Sequence, residues 1–134
     1  MNILIKENST WAQYDTSEFP NVRVTLKNKI RSDEEFDHFL REWESLYSKN
    51  ESFSLYFDTT EVGMVGMKYA FRMRSFIRRL KSDYPRLLEK SYIRVNSKWV
   101  KFLLSIMFTM EKPVAPVYVY SGDIQDARMK VYNP

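Results

Sequence analysis

Cysteine is absent from this chain, and histidine occurs once, as His38. Without cysteine there are no disulfides, thiolate nucleophiles or cysteine-based zinc centres. One imidazole also excludes the usual multi-histidine metal sites. We therefore expect neither a metal nor a cofactor. His38 flanks the apolar stripe of a predicted helix, and we interpret it as a surface or boundary residue rather than a general base.

Long hydrophobic runs are also missing. The longest strongly apolar stretch, residues 99–110, is interrupted by Lys101 and has about half the length that a membrane-spanning helix needs. The first residues lack the apolar centre of a secretory signal. The sequence therefore predicts a chain without a transmembrane segment, located in the cytoplasm.

The composition is that of a folded domain. Glycine occurs only three times, hydrophobic residues make up 44% and charged residues 28%, which is the balance of a globular protein. Aromatic residues are frequent, at 16%. A length of 134 residues suits one domain with one core, so we expect a single domain over residues 1–134.

Charge is distributed unevenly along the chain. The net charge is +4, but residues 1–67 hold seven Lys/Arg against twelve Asp/Glu, whereas residues 68–134 hold fourteen against five. An acidic first half and a basic second half indicate either a dipolar surface or contacts between the two halves.

Residues 53–120 alternate between strand and helix patterns. Strands are predicted at 53–57, 92–95 and 114–120, and helices at 67–90 and 98–110. The first of these strands is mostly apolar, which is typical of a strand covered on both faces. Pro85 predicts an end or kink of the first helix near Asp83, and Asn96-Ser97 is a plausible cap for the second.

Further elements flank this stretch. An opening strand or arm is predicted at 1–14, a half-buried strand at 22–26 and an amphipathic helix at 32–48, where Ser32 and Glu35 match a capping box. After residue 120, Ser121-Gly122-Asp123 predicts a short terminal helix carrying Ile124, Ala127 and Met129.

Strand–helix alternation predicts an α/β fold. Parallel strands need crossover connections, which are almost always right-handed. We expect a single domain with a four- or five-stranded, mainly parallel sheet flanked by helices on its faces.

The stretch from Asp83 to Tyr120 resembles CRAL-TRIO domains. The matching positions are Tyr84-Pro85, Leu88, Lys90, the strand at 92–95, Asn96 and Trp99, and Asp58 resembles that family's strand-terminal aspartate. STAS domains, which have the anti-sigma-factor-antagonist fold, share the same βαβαβ core. The likeness covers about half of the chain, from Phe53 to Tyr120. It implies a STAS/CRAL-TRIO-like core and, from the CRAL-TRIO side, binding of lipid.

The chain departs from both families at functional positions. Ser97 and Lys98 stand where CRAL-TRIO domains usually have Ala and Pro, and only Lys112-Pro113 occupies the place of the long gate segment. The STAS phosphoacceptor pattern of Asp-Ser, a small residue and Gly is replaced by Val65-Gly66-Met67-Lys68. A phosphorylation switch is therefore not predicted.

Three sets of residues are candidates for function. The basic face of the second helix either is solvated or meets acidic proteins or acidic lipids. Nucleic acid is disfavoured because no binding motif accompanies the charge. This face consists of Lys68, Arg72, Arg74, Arg78, Arg79 and Lys81.

The third helix is apolar around nearly its whole circumference. Such a helix is buried in a core, forms a subunit interface or lines an apolar ligand site. For the ligand hypothesis the lining residues are Trp99, Phe102, Leu103, Ile106, Met107 and Met110. A third candidate site, Asp58 with Thr59 and Thr60, follows a predicted strand, where α/β folds commonly bind ligands.

No catalytic set accompanies these candidates. The sequence has no Ser-His-Asp arrangement, phosphate loop or glycine-rich dinucleotide turn. We expect a non-enzymatic protein-interaction module with a STAS/CRAL-TRIO-like core, which docks in a larger assembly or self-associates. The alternative is binding of a lipid or other apolar small molecule between the third helix and the sheet.

Overall fold

A computed structural model describes residues 11–125 and 128–134 and gives them an α/β fold. Over these residues, three α-helices alternate with the central strands, and a short 3-10 turn, Leu46–Lys49, follows the first helix. In chain order the elements are β1 (Ala12–Asp15), β2 (Asn21–Asn28), α1 (Asp33–Ser45), β3 (Phe53–Val62), α2 (Met67–Asp83), β4 (Leu88–Arg94), α3 (Lys98–Met110), β5 (Val117–Tyr120) and β6 (Lys130–Tyr132).

Within the described part of the chain, six strands form one sheet in the order β1-β2-β3-β4-β5-β6. The four central strands are parallel, while β1 and β6 pair antiparallel at the two edges. The predicted α/β class is confirmed. The prediction of a four- or five-stranded, mainly parallel sheet is not exact, because the sheet has six strands and its two edge strands are antiparallel. The predicted opening strand survives as β1, and its residues 1–10 lie outside the described part of the chain.

The predicted terminal helix is also wrong. Ser121 to Gln125 form bends and a turn, and Lys130–Tyr132 is a strand. Val131 pairs with Tyr118 and Tyr132 pairs with Val117, so hydrogen bonding to the edge of β5 overrides the weak local helix signal. Ala127 lies outside the described residues.

Several element boundaries differ from the sequence expectation. The second helix ends at Asp83, as Pro85 predicts, but the strand after it already begins at Leu88. β3 continues to Val62 instead of ending at Phe57, because β2 also extends and pairs with Glu61 and Val62 after a register shift.

Two serines begin helices as predicted. The Ser32 hydroxyl accepts a hydrogen bond from the backbone N–H of Glu35 at 3.2 Å, and that of Ser97 accepts one from Val100 at 3.3 Å. Each satisfies a backbone donor that the first turn of a helix leaves unpaired.

All three helices lie on one face of the sheet. Strand order follows chain order, so crossovers of one hand place every helix on the same side. In β3, Phe53, Leu55 and Phe57 face the helices and are buried, while Tyr56 on the other face is partly exposed. The expectation of helices on both faces, and of a β3 covered on both faces, is therefore wrong.

The covered side holds an aromatic core. Trp43 of α1 packs on Phe57 of β3 and on Phe76 of α2, with ring centroids 5.5 and 5.2 Å apart. Phe39 lies edge-on to Trp11, at 5.1 Å. Large rings from α1, α2, β3 and the residue before β1 thus fill the space between the helices and the sheet, which accounts for the high aromatic content.

The uncovered face carries three stacked tyrosines. Tyr56, Tyr92 and Tyr118 are in register on β3, β4 and β5. The Tyr56 and Tyr92 rings are 5.2 Å apart and 9° from parallel, and Tyr92 and Tyr118 are 5.0 Å apart and 21° from parallel. Offset stacking of this kind adds to the stability of the strand pairs.

Removing the Tyr92 ring from the middle of the row should lower the free energy of unfolding about twice as much as removing the outer ring of Tyr118. Tyr92→Val deletes two stacked contacts and should lower the free energy of unfolding by about 1–3 kcal/mol, whereas Tyr118→Val deletes one. Urea unfolding of both variants measures the difference. Equal losses would contradict the stacking account.

Candidate functional site

The basic face of α2 is joined to acidic side chains of α1. Lys68 Nζ lies 3.0 Å from Asp33 Oδ1, and Arg79 Nη2 lies 2.7 Å from Glu44 Oε1. Arg72 pairs with Asp37 in the same way. These contacts link the acidic first half of the chain to its basic second half, which was one of the two outcomes predicted from the charge distribution.

Two cations in the C-terminal part of the basic face of α2 share one carboxylate, that of Glu111. Glu111, which follows α3, accepts hydrogen bonds from Arg78 Nε at 2.6 Å and Lys81 Nζ at 2.7 Å. Hydrogen bonds from Lys81 and then Arg78 lower the pKa of Glu111. The end of α3 is thereby fastened to α2.

Arg74 differs from the other five cations of this face. Its guanidinium lies 5.7 Å from the centre of the Phe71 ring and its Nη1 is 4.0 Å from the Met110 sulfur. It therefore bridges apolar side chains of α2 and α3. The other five cations of the predicted basic face pair with carboxylates of the protein, and an external anion has to compete with those carboxylates.

Hydrogen bonds where α1 packs on α2 also shift the pKa values of two side chains. A hydrogen bond from Lys68, followed by one from Tyr69, lowers the pKa of Asp33. The Tyr84 hydroxyl donates to Glu44 at 2.8 Å, and this bond is the main reason that its pKa is raised. These interactions belong to the packing of α1 on α2.

The predicted strand-end site lies inside β3 because that strand is longer than expected. Asp58 Oδ1 accepts hydrogen bonds from the Thr60 backbone N–H and hydroxyl, at 2.9 and 2.7 Å. The Thr59 hydroxyl donates to the Arg94 carbonyl at 2.7 Å. Burial acts to raise the pKa of Asp58, but the bonds from Thr60 bring it below its ordinary value. All three side chains thus have structural partners.

The apolar helix α3 divides into two faces. Leu103 and Met107 are buried with Ala70 and Ile77 of α2, and Trp99 packs against that cluster. On the outer side Phe102 is 46% exposed, and Ile106 and Met110 follow it at the four-residue spacing of one helical stripe. The six residues predicted to line a ligand site are therefore divided between the buried face and the outer face of α3.

The outer stripe of α3 continues onto α2. Phe71 is 44% exposed and is connected to Met110 through Arg74, while Trp99 stacks on Phe102 with ring centroids 5.6 Å apart. We call this surface the α2–α3 apolar face. It consists of Phe71, Trp99, Phe102, Ile106 and Met110.

An apolar cavity of about 160 Å³ lies between the helices and the sheet. From α3 it is lined by Val100, Leu103 and Met107, and from the sheet by Ile93 and Val117. Phe102, Ile106 and Met110 are not part of its lining.

A larger, open groove of about 650 Å³ runs between α3 and the last two strands. Lys98 and Lys101 come from the first turn of α3, and Arg128 and Lys130 come from the segment that leads into and begins β6. Local sequence patterns do not predict this groove, because they indicate a helix after residue 120 and do not place that segment beside α3.

His38 is a surface residue, in line with its interpretation from the sequence. Its Nε2 lies 3.0 Å from Glu42 Oε1 on the exposed side of α1. Within residues 11–125 and 128–134, no three His, Cys, Asp or Glu side chains are grouped as metal ligands. Over the same residues, no helix combines the length and the apolar character needed to cross a bilayer.

Comparison with protein-family models, with curated proteins and with solved structures finds no match. The resemblance to CRAL-TRIO and STAS domains therefore stays a prediction, and the candidate surfaces have to be argued from their own geometry.

Glu111 should contribute to the acid sensitivity of the fold. Its folded pKa is lowered, so its stabilising effect is present above the unfolded pKa and is lost as the pH falls through the folded value. In urea unfolding at a series of pH values, Glu111→Gln should flatten the decline of stability at acid pH. Glu34→Gln, at an exposed position for which the described structure gives no ion pair, is the control. If stability falls equally with decreasing pH in wild type and in Glu111→Gln, Glu111 does not have this role.

Proposed function

We propose that this domain is a non-enzymatic interaction module that docks on a protein partner or on a second copy through the α2–α3 apolar face. The observation that carries the proposal is the exposure of Phe71 and Phe102 on neighbouring helices. Large aromatic side chains are the usual anchors of protein interfaces, where they fill pockets near the centre.

The surroundings of this face support a contact surface. Trp99 is held in place by a hydrogen bond from its Nε1 to the Val65 carbonyl at 2.7 Å and stacks on Phe102. Arg74 lies beside Phe71. Rigid aromatic side chains lose little conformational entropy on binding, and arginine is enriched at interfaces for its planar, hydrogen-bonding head.

Ion pairing within the helical layer also favours docking by apolar contact. Lys68, Arg72 and Arg79 are paired with α1, so their charge stabilises the fold and leaves less attraction for an external partner. The same carboxylates and cations are engaged in packing rather than gathered around an open reaction site. We therefore propose binding rather than catalysis.

For the core itself we propose the STAS/CRAL-TRIO type. The three successive parallel strands β3, β4 and β5 with their two crossover helices have the βαβαβ order that both families share. Tyr84-Pro85 lies just beyond α2 and Asn96 just beyond β4, the positions that the resemblance assigns to them.

A second candidate is binding of a lipid or other apolar small molecule between α3 and the sheet. The apolar cavity supports it, since it lies between Leu103 and Val117. Its volume of about 160 Å³ limits the ligand. Apolar cavities of about 150 Å³ hold benzene or xenon, while drug-sized ligands occupy about 300–1,000 Å³. The cavity therefore suits a small apolar molecule, and a lipid tail requires the helices to separate.

The interface proposal predicts the mass of the protein in solution. Native mass spectrometry and light scattering should show wild type as an oligomer or bound to a co-purified protein, because the apolar face is unfavourable in water. Phe71→Ser with Phe102→Ser should return it to the 16.1 kDa monomer. Val131→Ser, which changes another exposed apolar side chain on β6, is the matched control. A wild-type monomer without bound protein, or equal dissociation of both variants, would refute the proposal.

The cavity proposal predicts stabilisation by small apolar molecules. Benzene should raise the melting temperature of wild type, since it binds only the folded state. Leu103→Ala should cost about 2–5 kcal/mol of stability, part of which benzene should restore by filling the enlarged space. No thermal shift in either protein would rule out this candidate.

A further inference from the structure

The groove between α3 and the β5–β6 edge concentrates cations for which the described residues provide no carboxylate partner, and the Lys130 ammonium lies 5.1 Å from the centre of the Tyr132 ring. Lys98, Lys101, Arg128 and Lys130 all line it, and no described residue forms an ion pair with any of the four. This contrasts with α2, where Lys68, Arg72, Arg78, Arg79 and Lys81 pair with carboxylates.

The lining of this groove has no acidic side chain among its described residues. Asp58 and Asp123 lie outside the lining, although each is close enough to act on Tyr120. Four like charges around one concavity repel each other and are stabilised by a bound anion, since low-dielectric walls focus the positive potential inside the groove.

Hydrogen-bond donors other than the cations line the same space. Tyr120, Tyr132 and Ser121 each bring a hydroxyl group to the groove. Arginine presents a planar fork that matches the oxygens of a phosphate, and lysine binds phosphate as a point charge. Arg128 with three lysines and three hydroxyls is thus a donor set for clustered phosphate oxygens.

Shape favours a compact ligand over an extended acidic chain. The groove volume of about 650 Å³ lies within the range of small-molecule sites, about 300–1,000 Å³. Its lining includes Tyr120 and Ser121 at the end of β5 and Lys98 at the start of α3. Ligands of open α/β sheets commonly bind at this carboxyl end of the strands.

We propose that the groove binds a small ligand carrying two or more clustered phosphate groups. The phosphates contact Lys98, Lys101, Arg128 and Lys130, and the exposed ring of Phe102 contacts the remainder of the ligand. Such phosphates occur both in free metabolites, such as nucleoside triphosphates, and in the headgroups of polyphosphorylated lipids. Both sources present the same chemistry to the groove.

This site is distinct from the proposed interface. Only Phe102 belongs to both surfaces, and the variants below leave it unchanged. Loss of phosphate binding with intact association, or the reverse, therefore separates failure of one proposal from failure of the other.

The test titrates the full chain with sodium tripolyphosphate and with ATP by calorimetry. Flotation with phosphatidylcholine vesicles, with and without phosphatidylinositol bisphosphate, tests the lipid source. Lys101→Gln with Arg128→Gln should weaken binding at least about tenfold, because each substitution removes a charge-assisted contact. The wild-type affinity should also fall with added salt.

A matched pair of substitutions controls for overall charge. Lys29→Gln with Arg41→Gln removes the same two charges from exposed positions near β2 and on α1 and should leave affinity unchanged. Should the first groove variant unfold, as judged by circular dichroism, Lys98→Gln with Lys130→Gln tests the same groove and should show the same loss.

The outcomes decide the proposal. Binding of tripolyphosphate or ATP that is lost in the groove variants alone supports it and identifies a free ligand. Binding only of the phosphoinositide vesicles with the same loss supports it and identifies a lipid headgroup. No binding to any probe, or equal weakening in the groove and control variants, overturns it.

Discussion

The order of the four parallel strands is the constraint on which the rest of this structure depends. Each strand is joined to its neighbour by one helix, and connections of one hand then place all three helices on one face. That face buries the aromatic core around Trp43 and Phe57. No helix of the described residues covers the opposite face, where the central row of tyrosines stacks ring against ring. A layer of helices with its own outer surface follows directly, and we propose that α2 and α3 present that surface to a partner.

Charge has two different uses in this arrangement. Along α2 it fastens the helices together, since Asp33, Asp37 and Glu44 of α1 meet three of its cations, and Glu111 meets two more. Beside α3 the described residues give Lys98, Lys101, Arg128 and Lys130 no carboxylate partner, and these cations line a groove. The number of basic residues on a helix is thus a poor guide to where an anion binds. What matters is which cations the fold has already neutralised.

Much of the fold follows from local sequence patterns, and most of the candidate site does not. Ser32, Ser97 and Pro85 act within one helical turn, so the starts of α1 and α3 and the end of α2 are predictable. The edge strand β6 is not, because Val131 and Tyr132 become a strand only by pairing with β5. The groove is unpredictable for the same reason, because its cations come from residues 98–101 and 128–130, which only the pairing of β6 with β5 brings together. The exposure of Phe71 and Phe102 depends on how α2 packs beside α3. Helical periodicity does not predict this packing, because a helix that is apolar all round has no single face that must be buried.

Hydroxyl-radical footprinting of the associated protein, compared with the Phe71→Ser and Phe102→Ser monomer, tests the central claim most directly. It measures the solvent accessibility of aromatic and methionine side chains one by one. The account predicts protection of Trp99 and Met110 in the associated state, with Tyr56, Tyr92 and Tyr118 on the open face of the sheet reacting equally in both. Protection of the tyrosine row with unchanged reactivity of α2 and α3 would contradict it and would place the interface on the other side of the molecule.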